Sequence, residues 1–375
     1  GLTYIRYMGI LDARLPNVSP VLHPYDHFMD NMFRSLIPGE REKILLRYKR
    51  VNPTTSLKLN FLRKFDVDDV LPVHIQHRIS YWQEKMYGEI RAHPLYDSFL
   101  SNLGYQIRNI RDYQDLDINM STAAGYPHPA GKLKRDVADE SYAEAARIVQ
   151  DRNYCDTYFE KHKWYTTGRA KMVERNAPDS ARLVAYPGFP VVLVVQKFMK
   201  PYTTFFKVSA TRFSAIGMSW MHMGADKLAA DLGLEKGFAP HGHVIDAQDC
   251  AGWDQHVRSI FHYGRLDHYS RMIRDSVERG YCDEESATAF IRVFSLAFHD
   301  MVNAVLVFAD GHSFKVSTGT KSGWPITSVG NTEDHEVVYS IAMESCGLST
   351  YDIKHKIGGD DCIDVLPDSI TIEQK

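Results

Sequence analysis

The chain is 375 residues long, 44% apolar and 24% charged; it can bury a large core, and no part reads as low-complexity or extensively disordered. A net charge of −3 excludes a uniformly basic nucleic-acid coat, while leaving room for a basic channel balanced by acid elsewhere. The five cysteines are scattered with no Cys-x-x-Cys pair, which argues against a disulfide framework or zinc knuckle and for a reducing compartment.

Neither an initiator Met nor a basic, apolar leader opens the chain, so the expectation is a processed or partial copy of something longer. Residues 1–120 are rich in Tyr, His, Arg and Pro and show only intermittent periodicity. The clearest case is 72–86, where Val73, Ile75, Ile79, Trp82 and Met86 fall on one side of a helix. Residues 120–137 break the pattern with Gly125, Gly131 and two prolines, then close on Lys132, Lys134 and Arg135, giving a loop with a positive exit. A helix is predicted over 142–158. Beyond it Lys161, Lys163, Arg169, Lys171, Arg175 and Arg182 are spaced through β-prone segments and polar turns. Such a ribbon can line a channel for phosphates or form a solvated basic face. The apolar windows 183–199 and 289–309 are interrupted by prolines or by Arg292, His299 and Asp300, so neither is a credible membrane span.

From 224 onward the pattern is regular. Residues 224–234 read as a short helix, 243–249 as a strand, 254–279 as a long helix and 283–300 as another. Strands at 303–309 and 313–317 pair across Asp310-Gly311, a strong hairpin signal. Pro325 precedes a helix reaching 346, because proline is tolerated in a first helical turn. Residues 353–366, IKHKIGGDDCIDVL, read as a hairpin with Gly358, Gly359, Asp360 and Asp361 at the turn, which places both aspartates at its tip. This order predicts an α+β fold, a sheet packed on helices, not a doubly wound parallel sheet.

The acidic residues carry the chemistry. Adjacent Asp360 and Asp361 repel each other, and a divalent cation nearby favours keeping both ionised; a solvated surface turn is the ordinary alternative. Asp249 ends a strand and Asp254 follows five positions later, so both can face one cleft. Asp249 can then meet Asp360 and Asp361 across a sheet and hold two cations that stabilise the attacking and leaving oxygens of a phosphoryl displacement. Magnesium suits such oxygen ligands, and manganese fits the same set. The plainer reading makes Asp254 a helix N-cap and Asp249 a solvated strand end. Between the acidic segments, Ser322, Gly323, Thr327 and Asn331 offer two hydroxyls and an amide able to read a sugar edge, beside a glycine that admits close backbone approach.

Asp249-x4-Asp254, Ser322-Gly323-x3-Thr327-x3-Asn331 and Gly359-Asp360-Asp361, in that order, resemble motifs A, B and C of viral RNA-dependent RNA polymerases. STAAGYP at 121–127 resembles the template-entry motif G of picornavirus-like enzymes, and Lys171, Arg175 and Arg182 resemble basic motif F. The resemblance spans roughly 120–366. It implies a right-hand fold with fingers and an antiparallel palm sheet on helices. Residues 1–120 would be an N-terminal region with part of the fingers, 121–240 the fingers, 241–366 the palm with a fingers insertion near 262–312, and 367–375 the start of a further part. Asp249, Asp360 and Asp361 would be catalytic and hold two Mg²⁺ ions. Lys171, Arg175, Arg182, Asp254, Ser322, Thr327 and Asn331 would bind the ribonucleoside triphosphate. Ser121, Thr122, Gly125 and Gly323 would guide template RNA.

An aspartate at the sugar gate, with Asn331, can bond the 2′-hydroxyl that separates RNA from DNA precursors. This disfavours a reverse transcriptase or a two-metal nuclease. A polymerase-like RNA-binding scaffold without turnover is the further alternative, opposed by the unpaired carboxylates, which a scaffold gains nothing by clustering. YPGFP at 186–190 and AGWDQ at 251–255 are similar to partitivirus-type and picobirnavirus-type polymerases of double-stranded RNA viruses. That subgroup implies work inside a capsid in the host cytoplasm, with template and product RNA and a capsid protein as partners and no membrane. Nine residues follow Leu366, too few for the family's motif D, motif E and thumb, so a portion of a longer polymerase is expected.

Overall fold

The computed structural model describes residues 5–10, 47–109, 111–129, 131–218 and 223–369. Most of the expected segment 367–375 and much of the first third of 1–120 lie outside the described residues. In chain order the elements are β1 (Ile5–Ile10), β2 (Tyr48–Val51), α1 (Thr55–Leu62), α2 (Val73–Arg91), α3 (Tyr96–Arg108), α4 (Ala138–Gln150), α5 (Arg152–Lys161), β3 (Trp164–Arg169), β4 (Lys171–Glu174) and β5 (Arg182–Tyr186). Then come α6 (Phe189–Ser209), α7 (Ala225–Asp231), β6 (His243–Asp249), α8 (Trp253–His256), α9 (Ser259–Glu278) and α10 (Glu284–Val302). The series closes with β7 (Val305–Val307), β8 (His312–Val316), α11 (Thr327–Ser345), β9 (Lys354–Gly358) and β10 (Asp361–Pro367). This is a mixed fold in which helices support sheets, as the element order predicts.

Two predicted helices are each divided in two. At 142–158 the break falls on Asp151, whose extended backbone (φ −107°, ψ 109°) and side chain, accepting from the Tyr154 amide, cap α5. At 254–279 Val257 is extended (φ −62°, ψ 123°) and separates α8 from α9. That break frees the Val257 and Asp254 carbonyls to accept from the amides of Gly319 (2.9 Å) and Thr320 (2.7 Å). A straight helix would use those carbonyls internally, so long-range bonds replace local ones.

The core forms around α6, which tolerates Pro190 in its first turn and buries Val191 to Val195 together with Phe198, Tyr202 and Phe206. Phe198 packs on Phe294 and Tyr269, and Phe99 stacks on Phe205 at 4.8 Å. Each such ring taken from water contributes about 1.5–3 kcal/mol before the entropy of ordering it.

Against this apolar centre lies α11, buried through residues 329–337 although five of those side chains are polar or charged between Thr332 and Glu336. Burying such groups costs several kcal/mol unless each finds a partner. Glu333 accepts from the hydroxyls of Tyr202 (2.5 Å) and Tyr269 (2.7 Å), and the Arg265 guanidinium pairs with Glu333 at 3.4 Å and with Asp334. Glu336 pairs with Arg212 (2.6 Å) and His355 (2.6 Å). The helix is therefore keyed in one rotation, because turning it would strip charges of their partners.

Among the described residues the strands form a five-stranded sheet in the order β1-β8-β7-β3-β5, a three-stranded sheet β6-β10-β9 and the two-stranded ribbon β2-β4. In the three-stranded sheet every pairing is antiparallel. Ile357, Cys362 and Leu366 from one of its faces cluster with Tyr339 and Met343 of α11. Alternation then sends Ala247, Asp249, Asp361 and Ile363 to the opposite face. Among the described residues no helix is long and apolar enough to cross a membrane.

Candidate active site

Three carboxylates are gathered by one hairpin and one neighbouring strand. Asp249, the last residue of β6, stands opposite Asp361, the first residue of β10, so their side chains leave the same face of the sheet. Asp360 occupies the turn between β9 and β10 beside Gly359. The sequence reading placed both aspartates at the tip; in the structure only Asp360 is there, and ladder pairing with Asp249 draws Asp361 into the strand. Burial, then the charges of Asp360 and Asp249, raise the Asp361 carboxyl above its ordinary value. This face opens on a cavity of about 510 Å³ lined by Asp249, Asp361, Gly358, Lys356, Ala215 and Leu228 among others. Lys356 is buried in its wall and pairs with Asp231 at 3.0 Å.

The turn is held from below. Gly359 adopts φ +75°, a conformation that strains any residue with a Cβ. Its amide donates to Thr332 Oγ1 at 2.9 Å, and its carbonyl lies 3.0 Å from His335 Nδ1. The Asp360 carbonyl accepts from the Cys250 amide at 3.3 Å, and Cys250 Sγ lies 3.7 Å from His335 Nε2. Trp253 packs on the His335 ring with centroids 4.8 Å apart.

Asp254 sits in the single turn of α8, entered through Gly252 at φ +67°. Burial raises its carboxyl, the Arg182 charge opposes that shift, and Asp360 adds to it. Arg182 also acts on Asp361, so it is placed electrostatically with the acids. It is exposed on β5 opposite Arg169. Lys171 lies on the β2-β4 ribbon, opposite Val51, and the Arg175 amide donates to the Arg47 carbonyl at 2.8 Å.

The Ser322 to Asn331 row is only partly free to meet a ligand. Ser322 is exposed. Thr327 turns its hydroxyl back to the carbonyls of Trp324 (2.7 Å) and Lys321 (3.2 Å), closing the entry to α11. Asn331 is 8% exposed, and its Oδ1 meets no hydrogen-bond donor among the described residues. Gly323 brings its amide 2.8 Å from the Ala185 carbonyl, where a Cβ would lie 2.5 Å from the same oxygen. Its smallness thus serves contact with β5.

In the 121–127 loop Ser121 and Thr122 are exposed and bond back to Asn119. Gly125 has φ +77°, and a Cβ there would lie 2.2 Å from the Pro187 carbonyl. The Ala124 carbonyl accepts from the Phe189 amide at 2.8 Å, so this loop interlocks with YPGFP. Among the described residues no group of three or more His, Cys, Asp or Glu side chains is arranged to hold a metal ion. The Asp249 and Asp361 pair nevertheless presents the oxygen donors, and the mutual repulsion, that a hard divalent cation relieves.

The sequence model of the family described as viral RNA-dependent RNA polymerase matches residues 82–364. The chain belongs to that family. No curated protein matches the sequence. The matched span contains every candidate residue named above, from Ser121 to Asp361. Thr332 and His335, which touch the turn, escaped the sequence reading. Their signal is faint: two polar residues three apart on a helix, on the side of the chain where Ser328 also lies. Nothing local shows that Gly359 is what they meet.

Proposed function

We propose that the chain is the catalytic portion of an RNA-directed RNA polymerase that joins ribonucleoside triphosphates on an RNA template. The observation that carries this is the placement of Asp249 opposite Asp361 at one cavity, with Asp360 in the adjoining turn, in a member of the viral polymerase family. In this reading β6, the β9-β10 hairpin and α11 are the palm, the segment 121–240 supplies fingers, and 262–312 is an insertion. Asp249, Asp360 and Asp361 would hold two Mg²⁺ ions. When bound, those ions neutralise charge on the attacking and leaving oxygens of phosphoryl transfer.

The protein's own groups do the rest. Arg182, with Lys171 and Arg175, balances the triphosphate charge and orients it by guanidinium and ammonium hydrogen bonds. Asp254 accepts the ribose 2′-hydroxyl, and the unpartnered Asn331 Oδ1 supports a second contact to the sugar, with Ser322 and Thr327 at the entry to the same helix. Ser121 and Thr122, exposed on their loop, and the glycines 125 and 323 border the path of the template. Assignment to a double-stranded RNA virus rests on YPGFP and AGWDQ; with it come a capsid partner and a place inside the particle in the host cytoplasm.

The test is templated incorporation by the complete encoded protein with Mg²⁺ or Mn²⁺, comparing ribo- and deoxyribonucleotides, with Asp360→Asn as control. Template-dependent ribonucleotide incorporation that Asp360→Asn abolishes is expected. Tight RNA binding with no incorporation under any metal or primer condition would favour the scaffold instead.

A further inference from the structure

We propose that Thr332 and His335 are positioning residues that clamp both polar backbone atoms of Gly359 and thereby aim Asp360 and Asp361 at the reacting phosphates. This deepens the polymerase reading and rests on it. The need for a clamp follows from the turn itself. Nothing lies within 4 Å of where a Gly359 Cβ would stand, so packing on that side does not fix the turn. Glycine also has the widest backbone freedom of any residue, and here it precedes the two carboxylates whose placement matters most. A misplacement of about 1 Å at reacting groups costs on the order of 100-fold in rate.

Two side chains from α11 remove that freedom. Thr332 is 0% exposed; its hydroxyl donates to the Ser328 carbonyl at 2.9 Å, which turns the oxygen's free lone pair toward the Gly359 amide. His335 is 2% exposed. A carbonyl can only accept, so the 3.0 Å contact to the Gly359 oxygen requires the proton on Nδ1. Nε2 is then the acceptor and faces the Cys250 thiol. Burial lowers the His335 value, which favours this neutral ring. The Trp253 face sets the ring plane, and the Cys250 amide holds the Asp360 carbonyl. The end of β6, the entry to α8, α11 and the turn are thus joined through one imidazole.

The alternative is that both side chains merely fill volume beneath the sheet. Atom-specific replacements separate the two accounts. Asn puts an N–H near the position of Nδ1, Gln near that of Nε2, Ser keeps the Thr hydroxyl and Val keeps its shape. The measurements are kcat and KM for nucleotide in templated incorporation by the complete protein, and hydrogen exchange of the turn amides. His335→Gln and Thr332→Val should lower kcat about 10- to 100-fold with KM within about twofold, and should speed exchange at Gly359. His335→Asn and Thr332→Ser should recover most of the loss. Equal activity of His335→Asn and His335→Gln, or a lowered melting temperature with kcat intact, would overturn the clamp.

Should the disruptive variants fail to fold, exchange in the unmodified protein decides. A Gly359 amide protected like those of β10 supports the clamp, and one exchanging like an open turn refutes it. A protected Gly359 amide in a protein that incorporates nothing would leave the clamp standing and remove the polymerase reading.

Discussion

Asp361 faces Asp249 directly across the β10-β6 ladder, two like charges in adjacent strands with Asp360 at the turn beside them. Burial first, and then the Asp360 and Asp249 charges, work against ionised Asp361 in the folded state and raise its carboxyl. A carboxyl raised on folding binds its proton more tightly in the native state, so its effect on stability worsens as pH rises through the acid range. Asp361→Asn should accordingly raise, or leave unchanged, the metal-free melting temperature at neutral pH while lowering incorporation at least about 100-fold. Calorimetry in chelator, beside the incorporation assay, reads both. A clear fall in melting temperature would mean that the carboxylate makes a net stabilising contact.

Asp254 is half-buried and feels both the Arg182 and the Asp360 charge, which makes it sensitive to what it can accept. Removing a group built to bond a substrate hydroxyl leaves less to reject the analogue without it. Asp254→Ala should narrow the preference for ribo- over deoxyribonucleotides by about 10- to 100-fold, from a loss of about 1–3 kcal/mol. Unchanged discrimination in competing single-nucleotide extensions would remove Asp254 from the sugar gate.

Three glycines with positive φ should respond differently to alanine. Gly131 and Gly359 have open space where a Cβ would go, whereas at Gly125 it would stand 2.2 Å from the Pro187 carbonyl. The first two substitutions should each cost about 1–2 kcal/mol of backbone strain. Gly125→Ala should cost clearly more, since the YPGFP segment must also move. Only Gly359→Ala of the first pair should impair incorporation. Urea unfolding of the three variants checks the ranking, and equal losses at 125 and 131 would contradict it.

Beneath α11, Arg265 lies buried between Glu333 and Asp334. Arg265→Met would leave two buried carboxylates without their counter-charge and should cost about 3–5 kcal/mol, part of it recovered by adding Glu333→Gln and Asp334→Asn. Burial pushes the Glu333 carboxyl up to about 7 from its ordinary 4.5. Across that window the native state holds a proton the unfolded chain has released, so stability should fall as pH rises toward 7. Glu333→Gln should flatten this slope in urea midpoints taken from pH 4.5 to 7.5.

How far the site could be read in advance varied with the kind of signal. The strand ending at Asp249 and the hairpin around Gly359 follow from alternation and turn chemistry, which act over a few residues. The break at Val257 does not, since the local pattern is helical and its carbonyl is claimed by Gly319, far along the chain. Thr327 reads locally as one of a row facing a ligand, yet its hydroxyl serves the helix entry. Arg182 reads as one of six similar cations; only the arrangement of β5 sets it apart.

The order of Asp249, Asp254, Ser322, Asn331 and Asp360 was determined by the sequence alone, and so was the alternation of helix and strand that carries them, because backbone preference and side-chain periodicity are local properties. The tertiary structure decided which carboxylates face one another and which side chains contact Gly359, and it brought the Arg182 charge to act on Asp254 and Asp361. Those relations depend on register and on contacts between residues tens to more than a hundred positions apart. A one-residue slip of β10 would send Asp361 to the opposite face of the sheet without changing a single letter of the sequence.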